Sequence, residues 1–468
     1  MLEGFEEWFA IRNRHSDDDI WPGKLKFSED TGITLEAIRH LDSGNRSDAP
    51  CCDKGTITGY LDYQRPTTII DPWVQSRSGA SIGVDTPIMR AKSRILASAI
   101  LKNIHLEDPN EKCFTALNMD MPAFSSWYAP QLVKSEYKHL KENTFPTASV
   151  EIYHPTQEQF TLVDQKNVTV RSVVETGEEE GVTKVTQRTF LRLEFPSPVD
   201  YFTVQKLIWQ VNTLFSFLLG CRMAQNPYRI GTTHMRKWNG QEMQVNAELL
   251  FRPVFKSNLH YVKWHEAIFL KQNSPVTTAK LLNSIAKQSD DLFYLMNMVL
   301  QMEKPEKLSA NDFSELVGCI EDFDIKVNGS GSSSEIRAAR RKLRKILREH
   351  GDKSDIHTFD ELTRNQPNRL TLAERLGRLR QEWLDSGFQG DIDIDRIKKI
   401  RNDVAHGRGV ELSADDYQEI VWLNYNLCAI ARFHVFRTLG FQAEVIGDAF
   451  RRLGFRYGRY APTPTSNT

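Results

Sequence analysis

Short runs of alternating or β-branched apolar residues dominate the first 200 positions of the chain and predict β-strands. The runs at 147–154 and 183–195 alternate apolar and polar side chains, which is typical of a strand with one buried face. Three other runs, at 56–64, 65–74 and 93–101, are rich in β-branched residues. Pro, Gly, Asn and Asp separate the runs, so we expect an antiparallel sheet or sandwich.

One helix is expected to interrupt this strand-rich region. Leucine and valine recur at intervals of three and four over 202–220, which is the spacing of an amphipathic helix. Another strand-like segment follows at 242–254. These elements predict an N-terminal antiparallel β-rich domain over residues 1–257.

The second half of the chain changes to the 3.6-residue period of amphipathic helices. A basic helix is expected from an N-cap at Ser334 to a stop at Gly351, directly after a flexible Gly/Ser-rich loop at 328–334. The fold class predicted is therefore α+β and multidomain, with an all-α bundle over 258–450 and a basic, aromatic tail over 451–468 that is disordered at its end. The other helices are expected at 280–302, 309–323, 372–384, 393–406 and 414–439.

Composition indicates a globular protein with more than one domain. A single core rarely grows beyond about 250–300 residues, and this chain has 468, of which 40% are apolar and 26% charged. Acidic residues stand near the N-terminus where a secretory signal would carry basic ones, and the most apolar stretch, 214–221, is far shorter than the roughly 20 residues that cross a bilayer. These two features predict no secretory signal and no membrane association. The six cysteines show no disulfide or zinc spacing, so we expect a reducing, cytoplasmic location.

Charge is distributed unevenly, although the formal net charge of the whole chain is −1. Residues 331–468 contain 24 Lys+Arg against 19 Asp+Glu, whereas the preceding residues contain 36 against 42. The basic C-terminal third favours a polyanionic partner for that part of the chain.

The candidate chemistry lies in one of the predicted helices, where four residues separate Arg401 from His406 and Asn402 follows the arginine. Similar spacings occur at 229–234 and 344–350, so the spacing alone is weak evidence. The first of these lies in a strand-and-turn region, and a lysine follows the arginine in the second. Only the pair at 401 and 406 combines a helix, a small polar residue after the arginine and a glycine that ends the helix.

This segment resembles the active-site motif of the HEPN superfamily, a group of helical-bundle proteins many of which are ribonucleases. The motif is an arginine, four to six residues and a histidine, with Asn, Asp or His commonly after the arginine. The resemblance implies that Arg401 and His406 are catalytic and that Asn402 orients the phosphate or the histidine. Asp403 is a further candidate for an orienting role.

The geometry of the motif leaves two arrangements open. Five residues along a helix rotate a side chain by about 140° net, so Arg401 and His406 cannot share one face of a continuous helix. They can converge where the helix ends, and Gly407 supplies such an end. Alternatively, two copies of the motif meet across a twofold axis. The resemblance implies this second arrangement, because HEPN proteins typically place their motifs at a dimer interface, and we expect a homodimer or higher homo-oligomer.

The chemistry that the resemblance implies is metal-independent cleavage of RNA. A histidine can take the proton of a ribose 2′-OH or give one to the leaving 5′ oxygen, and an arginine can hold the phosphate bidentately. The products would be a 2′,3′-cyclic phosphate and a 5′-hydroxyl, and DNA would resist this route because it lacks the 2′-OH. We therefore expect an RNA substrate, no cofactor and no metal.

Three segments of the β-rich region carry a second resemblance: GYLDY at 59–63, the strand at 94–100, and 114–130 around Trp127 and Tyr128. They resemble the N-terminal domain of ApeA-type anti-phage proteins, which join such a domain to a C-terminal HEPN bundle. The resemblance implies an abortive-infection ribonuclease whose N-terminal domain senses a phage component, such as a trigger protein, or restrains the nuclease. From the residues alone, the Trp127 and Tyr128 rings are expected in the core.

Basic residues outside the motif are candidates for RNA binding. The basic helix could follow RNA phosphates, with a solvated outer face as an equally good explanation. Residues 451–460 interleave arginine with aromatic residues, as nucleic-acid-binding tails do, with a frayed terminus as the alternative. The RNA-binding candidates are Arg337, Arg340, Arg341, Arg344 and, beside the motif, Arg408.

Three functional hypotheses follow from these residues. The leading one is a metal-independent endoribonuclease of antiviral defence, and the first alternative is a non-catalytic scaffold for dimerisation and RNA binding. A metal-dependent nuclease would have to use the acidic clusters at 15–21 and 391–395, which lack the spacing of a calcium loop. Asp393 or Asp395 is instead expected to begin a helix, and His434 is expected to be a hydrogen-bonded core residue.

Overall fold

The computed structural model of the chain forms two compact units, which we call the β unit and the helical unit. The β unit comprises Met1–Lys263 and Leu270–Ala286, and the helical unit comprises Trp264–Phe269 and Lys287–Thr468. The structure describes residues 5–12, 20–28, 32–41, 55–62, 64–82, 88–128, 133–138, 147–152, 157–179, 182–223, 228–252, 266–303, 308–329, 334–364, 370–406, 414–454 and 457–461.

Several expectations concern residues outside this description. The domain boundary expected at 257 falls within 253–265, so it stays a prediction. The same holds for most of the acidic cluster at 15–21 and of the Gly/Ser-rich loop.

The described strands of the β unit form a 14-stranded sheet and a separate two-stranded sheet. Every recorded pairing between the described strands is antiparallel, so the predicted antiparallel β-rich domain is confirmed. The strands are β1 (Phe5–Arg12), β2 (Ile20–Ser28), β3 (Gly32–Leu41), β4 (Thr56–Leu61), β5 (Arg65–Ile70), β6 (Trp73–Ile82), β7 (Ile88–Ala97), β8 (Ala99–Lys102), β9 (Phe114–Met119), β10 (Val133–Lys138), β11 (Thr147–Ile152), β12 (Gln157–Thr161), β13 (Asn167–Glu179), β14 (Val182–Val199), β15 (Tyr228–Trp238) and β16 (Gln241–Phe251).

Strand order in the large sheet departs widely from chain order. It runs β12-β13-β14-β9-β15-β16-β8-β5-β4-β1-β2-β3-β7-β6, and β10 pairs with β11 in the small sheet. Strand β9 therefore lies between β14 and β15, although more than 60 residues separate it from either strand. This long-range pairing brings the segment before β9 next to the middle of β15.

Alternation of side chains along a strand explains how the sheet acquires its core. In β2, Leu25 and Phe27 are buried in a hydrophobic core cluster of the unit. The residues between and before them, Lys24 and Lys26, point to the opposite face and pair with the carboxylate of Glu6 on β1. The period of two thus assigns one face to the core and the other to solvent-exposed ion pairs.

Two of the predicted strands are interrupted in the structure. The run at 65–74 forms β5 and β6, because Asp71 has a positive φ of 52° and the Pro72 that follows cannot donate a ladder hydrogen bond. The run at 93–101 forms the end of β7 and all of β8, with a bend at Ser98 between them. An unbroken strand over either run is therefore wrong.

Among the described residues, the β unit contains the helices α1 (Pro122–Tyr128), α2 (Tyr201–Leu219) and, except for its last residue, α3 (Thr278–Lys287). The predicted helix at 202–220 is confirmed as α2. The Asp200 carboxylate caps its first turn by accepting from the Thr203 N–H at 2.8 Å, and Gly220 ends it in the left-handed region. In α1, Trp127 and Tyr128 are buried, as expected for core residues.

The helical unit is an all-α bundle, as predicted. No described helix combines the length and the apolar character needed to cross a membrane. Its helices are α4 (Asp290–Met302), α5 (Ala310–Asn328), α6 (Ser334–His350), α7 (Lys353–Arg364), α8 (Leu372–Asp385), α9 (Ile394–Ala405), α10 (Ala414–Thr438) and α11 (Ala443–Arg452).

Helix boundaries follow the capping residues closely. The single helix expected at 280–302 is instead split into α3 and α4, and Ser289 occupies the N-cap position of α4. Ser309 caps α5 as half of a capping box with Asp312. The basic helix is confirmed as α6, which ends one residue before Gly351, whereas α7 and α11 are not among the predicted helices.

Aromatic residues form the centre of the bundle. The Trp383 ring stacks on Phe388 with centroids 4.6 Å apart and meets Phe433 edge-on at 5.5 Å. Tyr460 joins this cluster at 6.1 Å from Trp383, and Tyr457 is also buried. In the segment expected to be a tail, Tyr457 and Tyr460 are therefore core residues, and neither ring is available to stack on nucleic-acid bases.

Candidate functional site

Helix α9 places His406 at its C-terminus. The helix begins where the Asp393 carboxylate accepts the Arg396 N–H at 2.9 Å, which confirms the expected role of Asp393. It ends with Ala405, and the backbone N–H of His406 still donates to the Asn402 carbonyl at 3.0 Å. The histidine is therefore the C-cap residue, at φ −92° and ψ 10°, which is the first of the two arrangements expected for the motif.

Arg401 is held by a carboxylate from another helix. Its Nη2 donates to Oε2 of Glu321 on α5 at 2.7 Å. The arginine side chain stays 36% exposed and the glutamate 21%, so part of the guanidinium still faces solvent. An ion pair of Arg401 is what a purely structural role for the arginine would also produce.

The rest of the motif is accessible from solvent. Asn402 and His406 are exposed, and Asp403 is half-buried. An exposed imidazole can accept or donate a proton to a bound molecule, and an exposed amide can donate a hydrogen bond to a phosphate oxygen. Gly407 and Arg408, which follow the histidine, lie outside the described residues.

Helix α5, which carries the partner of Arg401, also contains a buried charge cluster. The Asp324 carboxylate is completely buried and accepts from Arg375 Nη1 at 3.0 Å and from Arg378, both on α8. Asn328, on the same helix as Asp324, donates to the second carboxylate oxygen at 3.0 Å. Because Glu321 lies one helical turn before Asp324, α5 fixes α8 with one carboxylate and α9 with the other.

A second buried cluster fixes the long helix α10. Arg432 is fully buried and donates through Nε to Glu303 at 2.7 Å, and the Tyr457 hydroxyl donates to the same glutamate oxygen. The Asn424 amide donates to the Met302 carbonyl at 2.8 Å. These contacts join α10 to the end of α4, so the framework around α9 depends on a few desolvated polar contacts as well as on apolar packing.

The predicted RNA-binding residues are placed unequally. On α6, Arg341 and Arg344 are exposed and Arg340 is half-buried, while the side chain of Arg337 is outside the described part. Arg344 pairs with Asp360 of α7 at 2.6 Å. The basic helix thus presents exposed charge, and one of its arginines is already partly neutralised by its neighbour.

Other candidates from the sequence have structural roles. His434 is buried and its Nε2 lies 2.9 Å from the Leu379 carbonyl, which confirms it as a hydrogen-bonded core histidine. Burial lowers the pKa of His434 to about 4, so the ring is neutral at physiological pH. In the acidic cluster at 391–395, Asp391 binds the Arg380 guanidinium.

Sequence reasoning misses three exposed aromatic side chains on α10. Tyr417, Trp422 and Tyr425 are 42%, 48% and 38% exposed, and the Arg459 guanidinium lies over the Tyr425 ring at 5.9 Å. A charged pair at 2.8 Å between Arg396 and Glu419 links α9 to this helix. The sequence contained a signal for these residues: large aromatic residues occupy positions of α10 that the apolar helical spacing leaves for polar ones. A helix that only packs into a core does not need aromatic residues at its exposed positions.

Comparison with known proteins identifies both parts of the chain. Residues 7–272 match the family described as ApeA N-terminal domain 1, and residues 315–445 match the Apea-like HEPN family. No curated protein and no solved structure matches the chain. The first match alone spans more than half of the 468 residues, and the second contains the whole of α9. The two matches occur in the order expected from the sequence, and the chain belongs to the ApeA-like HEPN family of anti-phage proteins.

Proposed function

We propose that the protein is a metal-independent endoribonuclease of anti-phage abortive-infection defence, with its active site at the C-terminal end of α9. The observation that carries the proposal is the position of His406, which ends the helix with its side chain exposed inside the region matched as HEPN. A histidine at a helix end is not confined to one face of the helix, so its ring and the Arg401 guanidinium can approach the same phosphate.

The proposed reaction is attack of a ribose 2′-OH on the adjacent phosphate. His406 takes the 2′-OH proton or gives a proton to the leaving 5′ oxygen, and Arg401 offsets the negative charge that builds on the phosphate. Two copies of the site across a dimer axis would supply both proton-transfer groups, one from each chain. Cleavage yields a 2′,3′-cyclic phosphate and a 5′-hydroxyl.

Neighbouring residues have supporting roles in this proposal. Asn402 donates its amide to the phosphate or to the imidazole, and Asp403 orients the histidine. Glu321 holds the Arg401 guanidinium from one side, at 2.7 Å, while the exposed side stays free to receive a phosphate. Such a fixed guanidinium loses less conformational entropy when the RNA binds.

The proposed partners are RNA, a second copy of the chain and a phage-derived trigger. Exposed Arg341 and Arg344, with Arg340, Arg337 and Arg408, supply positive charge for the RNA backbone. Trp422 and Tyr425 are exposed and lie three residues apart on one side of α10. Aromatic residues are enriched in protein interfaces, so this side supports a homodimer or higher homo-oligomer. The β unit senses the trigger or restrains the nuclease, and the protein acts in the cytoplasm.

A non-catalytic scaffold is the second candidate function, because the pairing of Arg401 with Glu321 is also what a structural arginine would show. In that case the bundle dimerises and binds RNA without cutting it.

One experiment separates these functions. The full chain is incubated in EDTA with RNA, with DNA, and with RNA carrying single 2′-deoxy substitutions. Variants His406→Ala and Arg401→Ala are compared with His350→Ala. His350 is an exposed histidine of α6, and five residues separate it from Arg344, so it has the spacing of the motif without the small polar residue after the arginine. We expect the wild type and His350→Ala to cut only RNA, leaving 2′,3′-cyclic phosphate ends, and His406→Ala to be slower by a factor of about 100 or more.

The same variants are tested in cells by plaque counts after phage infection, since a trigger supplied by the phage can activate a silent enzyme. Protection should survive His350→Ala and disappear with His406→Ala. RNA binding and protection that persist in His406→Ala, without any cyclic phosphate ends, would establish the scaffold in place of the enzyme.

A further inference from the structure

Three side chains of metal-binding type converge in the β unit, far from α9 in the sequence. The carboxylate of Glu111, the thiol of Cys113 and the imidazole of His234 place their ligand atoms within 4.8 Å of one another. Glu111 and Cys113 lie in the segment directly before β9, and His234 lies within β15. More than 120 residues separate the histidine from the other two, so no local spacing motif predicts this cluster.

The pairing of β9 with β15 creates the cluster. The Thr233 N–H donates to the Cys113 carbonyl at 2.7 Å, which places the residue after Thr233 beside the cysteine. Cys113 is a free, buried cysteine.

Strand β15 is irregular at this point on both of its edges. Its register shifts between Gly231 and Thr232 against β9, and between Gly231 and Met235 against β16. A bulge re-aims the side chains that follow it and is found preferentially next to functional sites. Here the irregularity includes His234, and the Thr232 hydroxyl accepts the His234 N–H at 3.2 Å.

The imidazole of His234 has a nitrogen whose hydrogen-bonding capacity is not used by the described residues. His234 Nε2 is a buried atom without a hydrogen-bond partner among the described residues, although the side chain as a whole is 34% exposed. Its nearest acidic atom, Oε1 of Glu111, lies at 3.7 Å, which is too long for a hydrogen bond. Two atoms bound tetrahedrally to one zinc ion lie roughly 3.4 Å apart, given zinc–ligand bonds of about 2.1 Å. The observed separation is close to that of two ligands sharing an ion.

We propose that Glu111, Cys113 and His234 form a binding site for a divalent zinc-class metal ion that links the segment before β9 to β15. A thiolate, an imidazole and a carboxylate are the ligands that zinc prefers, and three protein ligands leave the fourth position to water. Thiolate and carboxylate together balance the two positive charges of the ion, so the site is neutral overall. Zinc binding displaces the thiol proton, which leaves to solvent.

The proposed metal has no part in the proposed cleavage of RNA. It stabilises the β unit, because a ligand that binds only the folded state raises its stability. The metal site and the nuclease can therefore succeed or fail independently in experiment.

The test is zinc binding by the purified full chain. Metal content is measured by mass spectrometry after incubation with zinc(II) and removal of the excess, and cobalt(II) replacement is followed by the thiolate-to-cobalt charge-transfer band. We expect one zinc per chain, the cobalt band, and a rise in Tm of the β unit when zinc(II) is added.

Variants assign the ligands. Cys113→Ser and His234→Ala should lose the bound zinc, the cobalt band and the rise in Tm. Glu111→Gln changes an exposed residue and leaves the fold intact, so its expected loss of zinc affinity by tenfold or more does not depend on the core. Cys319→Ser and His350→Ala, in the helical unit, are the matched controls and should retain one zinc.

Two results would overturn the site. One is a wild-type chain that takes up less than stoichiometric zinc and shows no rise in Tm. The other is zinc uptake by folded Glu111→Gln and Cys113→Ser chains at wild-type affinity, because the ion would then lie elsewhere.

Discussion

Removing the charge of Asp324 should destabilise the helical unit more than removing one partner of an exposed ion pair. The Asp324 carboxylate is fully buried and neutralises Arg375, whose side chain is only 2% exposed. In Asp324→Asn the Arg375 guanidinium stays in the core without its counter-charge. Breaking a buried pair by removing one partner costs about 3–5 kcal/mol. A domain has about 5–15 kcal/mol in total, so this loss is a large fraction of it.

Urea unfolding of the full chain, followed by circular dichroism at a helix-sensitive wavelength, measures this loss. With a denaturant slope of about 2–3 kcal/mol/M for a unit of this size, the midpoint of the helical transition should fall by about 1–2 M. Asp391→Asn is the matched control, since Asp391 pairs with Arg380 from the same helix α8 but is 54% exposed. That substitution should cost no more than about 1 kcal/mol.

A compensating variant tests whether the cause is the unpaired charge. Adding Arg375→Met to Asp324→Asn removes the buried guanidinium and should restore part of the lost stability, because Arg378 is 29% exposed and can turn to water. The reasoning about this cluster is refuted if Asp324→Asn lowers the free energy of unfolding no more than Asp391→Asn does. It is also refuted if adding Arg375→Met lowers the stability of Asp324→Asn further.

Two further predictions concern pH and backbone packing. Because burial lowers the pKa of His434 to about 4 from about 6.5 in the unfolded chain, its contribution to stability is complete above pH 6.5 and is lost as the pH falls towards 4. The free energy of unfolding should fall by about 2 kcal/mol from this cause at pH 5. In His434→Gln the difference in stability between pH 7.5 and pH 5 should be smaller by this amount. An unchanged difference would contradict the prediction. A Cβ on Gly59 would lie 2.3 Å from the Ala10 carbonyl oxygen and 2.6 Å from the Phe9 ring, so Gly59→Ala should destabilise the β unit by about 1–3 kcal/mol in thermal unfolding. Gly318→Ala, in a helix with open space at its Cβ, is the control and should be neutral or stabilising; equal effects would rule out the steric explanation.

Local signals in the sequence predict most of the described helices and many of the described strands, but not α7 or α11. Helix α6 begins at Ser334 and α9 begins directly after its cap Asp393, both where the sequence predicts, because helix start signals act within a single turn. The helix expected at 280–302 fails at Ser289, where apolar periodicity continues across a break between two helices. Periodicity alone cannot separate one long helix from two helices in similar register.

The candidate active site is predicted only in part. Arg401, Asn402 and His406 lie within six residues of one another, so their helix and its end follow from the sequence. The partner of Arg401 does not, since Glu321 lies 80 residues earlier on another helix. Its identity depends on how α5 packs against α9, and helical spacing contains no information on that packing.

The sequence by itself determined the antiparallel β-rich unit, the helical bundle and the motif on α9, because side-chain period, caps and helix stops act over a few residues. Only the tertiary structure decided that β9 lies between β14 and β15, and that Asp324 binds arginines more than 50 residues away. It also decided that Glu111, Cys113 and His234 meet. Such contacts depend on which strands and helices become neighbours, and that choice is made by the burial of the whole core rather than by any short segment of the chain.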